Sequence, residues 1–141
     1  MPSPAYDLAT VVANAGIGTL AGASDWGIYV HTMPASPERC IMFADVGGQP
    51  PHPSIRLDFP VVRVVVRGRQ NDFPDAWNKM KEIRDKLLGL PKTTVNGNVY
   101  AGVWVSRDVE SLEDDEKERV YFTMFLRCAV EPSTTSYSNR T

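Results

Sequence analysis

The amino-acid sequence predicts an α+β fold: one two-layer domain with a mainly antiparallel β-sheet, two helices packed on one face, and a long β-hairpin near the C-terminus. Apolar residues recur with a period of two in the stretches read as strands and at spacings of three and four in two others. Two amphipathic helices are enough to cover one face of such a sheet, which gives two layers rather than three. Residues 1–131 are expected to form the single domain, and 132–141, mostly Ser, Thr and Asn, a flexible tail.

The first helix begins at Ser3-Pro4, a capping hydroxyl followed by a proline whose missing N–H costs nothing there. Leu8, Val11, Val12 and Ala15 follow at helical spacing, and Gly16 stops it. From Trp26 the period becomes two. Trp26, Ile28 and Val30 share one face, with Tyr29 and His31 on the other. Pro34 and Pro37 force a linker, and a second strand runs from Cys40 to Val46. Gly47-Gly48-Gln49-Pro50-Pro51-His52-Pro53 is a surface loop by composition.

The strand Val61–Arg69 has two unlike sides. Val62, Val64 and Val66 face a core, whereas Arg63, Arg67 and Arg69 make the other side basic around Val65. The second helix is capped by Asn71 or Asp72 and has Pro74 near its first turn. Its stripe is Phe73, Ala76, Trp77, Met80, Ile83, Arg84, Leu87 and Leu88, and Gly89-Leu90-Pro91 ends it. A strand from about Asn98 to Ser106 puts Val99, Ala101, Val103 and Val105 on one side. The last strand, Arg119–Glu131, points Val120, Phe122, Met124, Leu126, Cys128 and Val130 inward, and Tyr121, Thr123, Phe125 and Arg127 outward. Between these two strands, Arg107–Glu118 reads as a carboxylate-rich connection.

The 141 residues hold 15 basic and 17 acidic side chains, a net charge of −2, which excludes a generally basic nucleic-acid binder. With 43% apolar and 23% charged residues the chain reads as globular and not as disordered. No apolar run approaches the about 20 residues of a membrane span. The Met-Pro-Ser-Pro-Ala-Tyr-Asp start has no signal-peptide pattern, so the cytoplasm is the expected site of assembly. Near-neutrality is a cancellation: Ile55–Gln70 holds four arginines against Asp58, and Arg107–Arg119 holds seven acidic against three basic residues. Opposite patches at separate places suit head-to-tail contacts between copies.

Catalytic chemistry finds little foothold. Gly16-Ile17-Gly18 follows no strand, and Gly47-Gly48 precedes no helix, so neither is a phosphate cradle. Cys40 and Cys128 are too isolated for a disulfide framework or a zinc site and read as buried thiols, so no metal or cofactor is expected. Asp45, His52 and Asp58 could form an acid–base cluster about the proline-rich loop, or serve only as turn residues. The arginine row could bind nucleic acid, but the repeated stacking platform of single-strand binders is missing. The outward face of Arg63, Arg67, Arg69, Tyr121, Phe125 and Arg127 has the composition of a protein interface.

The segment Val30-His31-Thr32-Met33-Pro34-Ala35-Ser36-Pro37-Glu38-Arg39-Cys40-Ile41, followed by Asp45-Val46-Gly47-Gly48-Gln49-Pro50-Pro51, resembles the tail-terminator family of long-tailed phages. The likeness continues through Val64-Val65-Val66-Arg67, a helix ending Leu87-Leu88-Gly89, Arg107-Asp108 and the long final strand; it covers about Leu8 to Glu131. Val109–Glu118 departs from the family's shorter turn.

The resemblance implies a structural virion protein and not an enzyme. It implies a homohexameric ring that caps the tail tube, ends its polymerisation and meets the head-completion or neck protein, while DNA passes through the pore without sequence-specific binding. It implies location at the tail–neck junction and no membrane. In that setting Arg63, Arg67, Arg69, Tyr121, Phe125 and Arg127 would lie at subunit contacts or near the pore. Gly47, Gly48, Pro50, Pro51, Asp108, Glu110, Glu113, Asp114 and Asp115 would dock on the tube, the neck or a neighbour. The alternatives are another neck component, a small hydrolase using His52 and Asp45, and a nucleic-acid-binding module.

Overall fold

The alternating stretch around Val64 sits at the centre of a seven-stranded sheet. The computed structural model describes residues 2–22, 24–135 and 138–140. Its elements are α1 (Pro4–Asn14), β1 (Thr19–Leu20), β2 (Gly27–Val30), β3 (Cys40–Gly48), β4 (Pro60–Gln70), α2 (Phe73–Leu87), β5 (Thr93–Val95), β6 (Asn98–Leu112) and β7 (Arg119–Glu131). The strands lie in the order β1-β2-β3-β4-β7-β6-β5. The β1–β2 and β2–β3 pairs are parallel and all others antiparallel.

Both helices start and stop where local chemistry directs. Ser3 caps α1, its hydroxyl accepting from the Tyr6 N–H at 3.4 Å, with Pro4 in the first turn. Asp72 caps α2, and Gly89, at φ 72°, lets the chain turn after Leu88 while Leu90 packs back on the core. Ala76, Met80, Ile83 and Leu87 are the fully buried side of α2; Phe73 and Trp77, at the margin of the stripe, meet the Phe122 ring edge-on with centroids 4.9 and 5.6 Å away. Gly68 makes the close approach possible, since a Cβ there would lie 2.8 Å from that of Ala76.

The core forms between the helices and the inward residues Ile28, Ile41, Phe43, Val62, Val64, Val66, Phe122, Met124, Leu126 and Cys128, as the alternation predicts for β4 and β7. The structure corrects β6. Asn98, Tyr100 and Val103 are the buried residues, while Ala101 is exposed and Val99 half-buried. A register shift between Tyr100 and Gly102 moves the side-chain phase by one, which periodicity alone does not foresee. β6 also continues to Leu112, so Asp108 and Glu110 are strand residues and the acidic connection shrinks to 113–118. The short edge strands β1 and β5 were not among the predicted elements.

Burying Tyr100 completes a polar knot. Asp7, fully buried in the first turn of α1, accepts hydrogen bonds from Asn96 Nδ2 (2.8 Å), Asn98 Nδ2 (2.8 Å) and the Tyr100 hydroxyl (2.6 Å). Burial, and the carboxylate beside it, push the Tyr100 phenol far above its ordinary range. The knot fastens α1 to the β5–β6 hairpin. Asp7→Ala would leave three donors without their acceptor, and we expect a loss of about 3–5 kcal/mol, against about 2 kcal/mol for Tyr100→Phe. Urea midpoints at unchanged m-value measure both; equal losses would mean that the carboxylate has no role beyond the tyrosine contact.

Candidate functional site

With both helices on one side, the other face of the sheet is finished by side chains and loops. Register places Ala44, Arg63, Phe125 and Arg107 in one row across β3, β4, β7 and β6, and Val61, Arg127 and Trp104 in the next. Arg63 and Arg107 flank the Phe125 ring, their guanidinium carbons 5.8 and 6.0 Å from its centroid. Arg127 lies between Phe59 (5.2 Å) and Trp104 (5.6 Å). Each such contact contributes about 0.5–1 kcal/mol at an exposed site and, more usefully, restrains a long side chain. Arg63 Nε also donates to Thr123 Oγ1 at 3.0 Å, and Arg127 Nη2 to Gln49 Oε1 at 2.7 Å.

The other end of this face is closed by the proline linker. Arg67 is only 3% exposed: Nε donates to the Glu38 carbonyl (2.8 Å), and Nη2 to the carbonyls of Pro34 (2.6 Å) and Pro37 (2.7 Å) and to Cys40 Sγ (3.2 Å). Arg119, also buried, donates to the Ala35 carbonyl at 2.9 Å. The guanidinium of Arg67 thus satisfies loop carbonyls inside the subunit and is withdrawn from the surface on which the sequence puts it. Arg69 parts from the face as well. The register breaks between Arg67 and Gln70, and Arg69 pairs instead with Asp72 at 3.0 Å, at the start of α2.

The acidic candidates divide into three groups. Asp108 accepts from the Val109 N–H (2.7 Å) and Arg84 Nη1 (3.1 Å), which hold its carboxyl below the usual range; Glu110 pairs with Arg107 at 3.2 Å. Asp115 turns inward and accepts four bonds, from the Lys117 and Arg119 amides (2.9 and 3.0 Å), Arg119 Nε (2.7 Å) and the Tyr121 hydroxyl (2.9 Å). Desolvation alone would raise its carboxyl, but these donors outweigh it and hold the group far below the usual range. Glu113 and Asp114 remain exposed at the turn.

The glycine–proline segment is also exposed, though its two glycines end β3 and do not belong to the loop expected from Gly47 on: the strand runs to Gly48, which pairs with Pro60. Gly47 and Gly48 sit at φ 92° and 137°, and a Cβ on Gly48 would collide with the Phe59 carbonyl and come 2.8 Å from Pro60 Cα. Beyond Pro50 and Pro51, His52 Nδ1 accepts the Ser54 amide at 3.0 Å, closing a local turn. Asp58 is held by Arg140 at 2.7 Å, and Arg56 Nη2 donates to the Pro132 carbonyl at 2.6 Å. Pro132, Ser133 and Arg140 thus contact the domain, whereas residues 136, 137 and 141 of the expected tail lie outside the described residues.

The imagined acid–base cluster divides in the same way. Asp45 accepts the Ala5 N–H (2.9 Å) and pairs with His31 Nε2 (2.8 Å), so it bonds neither His52 nor Asp58. Among the described residues, no three His, Cys, Asp or Glu side chains gather as a metal site. Burial pushes the Cys128 thiol up to about 12. Sequence reasoning missed Phe59, Trp104 and Arg107 as parts of the open face, as well as the tertiary cap by Asp45. For Trp104 the signal is its position between Val103 and Val105, opposite in phase to a core strand.

A sheet covered on one side and furnished on the other with restrained arginines and rings is built as a subunit of an assembly. The chain belongs to the bacteriophage tail terminator protein family, whose family model matches residues 11–132. It is therefore a structural protein of the phage tail, which assembles with other components of the virion. Similar solved structures include a chain of the virion of a native gene transfer agent particle. That likeness has a TM-score of 0.56 over 88% of this chain and 84% of that one at 15% identity, and is a likeness of fold. No curated protein matches the chain significantly.

Asp115 gives the turn a pH signature. Its native carboxyl titrates below the about 3.9 of an unfolded aspartate, so its stabilising effect is complete above that value and fades as pH falls. We expect the urea midpoint of the protein to exceed that of Asp115→Asn by a constant margin from pH 8 to 5. The margin should narrow below about pH 4. A margin that stays constant down to pH 2.5 would contradict this role.

Proposed function

We propose that the chain forms a hexameric ring on the last ring of the tail tube, where it ends tube polymerisation and presents a new surface to the head-completion or neck protein. The observation that carries this reading is the match to the tail terminator family over residues 11–132. The open sheet face adds support, because a ring needs a lateral surface distinct from the two it offers along the tail axis. Arg63, Tyr121, Phe125 and Arg127 are proposed at subunit contacts or toward the pore, through which DNA passes without base-specific readout. Arg69 is proposed beside them, at the rim of the face.

The segment with Gly47, Gly48, Pro50 and Pro51 is proposed to dock on tube or neck. A loop stiffened by prolines loses little entropy when it is ordered by a partner. The protein acts by binding, without a catalytic step or a cofactor. It assembles in the host cytoplasm and ends at the tail–neck junction of the virion.

Solution mass with and without tail tubes, joined to electron microscopy of the tubes, tests the proposal. We expect a species of six chains on the tube and tube ends that stop growing once it binds. A protein that forms no ring in either condition, or that binds head portals and never tube ends, would overturn the reading.

A further inference from the structure

The open face and the 113–118 turn carry opposite charges, several of which make no ion pair among the described residues. Neither Arg63 nor Arg127 takes part in an ion pair among the described residues, and Arg107 has only the exposed Glu110. Glu113, Asp114 and Glu116 fall within four residues of one another and likewise make no ion pair there, whereas Asp108, Glu110 and Asp115 are engaged.

The two sets lie apart in one chain. From Tyr121, which pairs with Leu112 next to the turn, Phe125 in the Arg63 row is four residues along β7 and Arg127 six, roughly 13 and 20 Å at strand rise. The turn is also fixed: Asp115 holds Arg119 and Tyr121, the Asn71 N–H donates to the Glu118 carbonyl (3.1 Å), and Gln70 Nε2 donates to Glu118 Oε2 (3.1 Å).

We infer that the turn of one subunit docks on the arginine–aromatic face of the next, with Glu113, Asp114 and Glu116 paired to Arg63 and Arg127. The inference rests on the ring reading and assigns the acidic turn to the neighbouring copy, not to the tube. Such a contact is heterologous, joining one patch to a different one, and repeats head to tail until the rotation closes. Phe125, Trp104 and Phe59 flank the guanidinium groups, restrain them and exclude water from one side. Charge-assisted bonds to a carboxylate then form with little ordering left to do. Charge complementarity also fixes which patch is chosen.

The test is a charge swap read by native mass on rings, with circular dichroism melts confirming that each variant folds. Arg63→Glu with Arg127→Glu, or Glu113→Lys with Asp114→Lys and Glu116→Lys, should each weaken ring formation tenfold or more. Mixing the two variants should restore rings, of alternating subunits, and combining all five changes in one chain should restore rings of identical ones. If face reversal leaves the ring intact, the pairing is wrong although the ring stands. Rings lost but not recovered on mixing or combining overturn it equally, as do intact rings that no longer cap tubes, which would give the face to the tube protein. Wild-type protein that never forms a ring overturns the ring reading and this pairing together.

Discussion

Two helices can shelter only one side of a sheet this wide, and most of the molecule follows from that limit. The apolar halves of β4 and β7 face α1 and α2 and make a continuous core. The opposite halves have to be stable without a second apolar layer. The chain solves this in two ways along one surface. Toward one end it folds the Pro34–Glu38 linker over the strands and satisfies the linker's carbonyls with Arg67 and Arg119. Toward the other it leaves the sheet open and sets arginine guanidinium groups over aromatic rings, which restrains the long side chains on that face. Arginine suits both tasks, as its planar fork reaches several acceptors at once and its face stacks on aromatics.

Polar contacts over long sequence distances then fix the register of the layers. Asp45 accepts the Ala5 N–H from 40 residues away, and Asp7 collects donors from the β5–β6 hairpin more than 85 residues on. Both carboxylates act at the N-terminal turn of α1, where exposed N–H groups favour negative charge. Helix α1 is short, and these anchors supply what its own propensity does not.

What could be read in the sequence depended on whether the determining contact was local. Helix caps, the Gly89 stop and the two-sided patterns of β4 and β7 are set by neighbours a few residues apart, and they were legible. The β5–β6 turn carries a local signal too, since Asn96-Gly97 is a strong hairpin dipeptide with both residues at positive φ, although a three-residue β5 shows no periodicity. The bulge that brings Tyr100 inward was not legible, since the acceptor that its hydroxyl meets there is Asp7, 93 residues away. Nor was the fate of Arg67. Alternation correctly put it opposite the core, but nothing local says that the linker 29–33 residues earlier folds over that spot. The same holds for the acidic run, where only tertiary contacts separate the inward Asp115 from its exposed neighbours.

The margins of the sheet carry a last consequence. β1 has two residues and β5 three, and β6, beyond the reach of β5, breaks register three times before Leu112. A short or bulged margin is a poor template for another strand. Copies of this subunit are thereby discouraged from joining backbone to backbone, a mode of growth that has no natural end. Side-chain contacts, by contrast, match only at particular angles, and a heterologous contact repeated at a fixed angle can close on itself. For a structural protein of the phage tail, made to assemble with other components, such edges disfavour a fibre of its own.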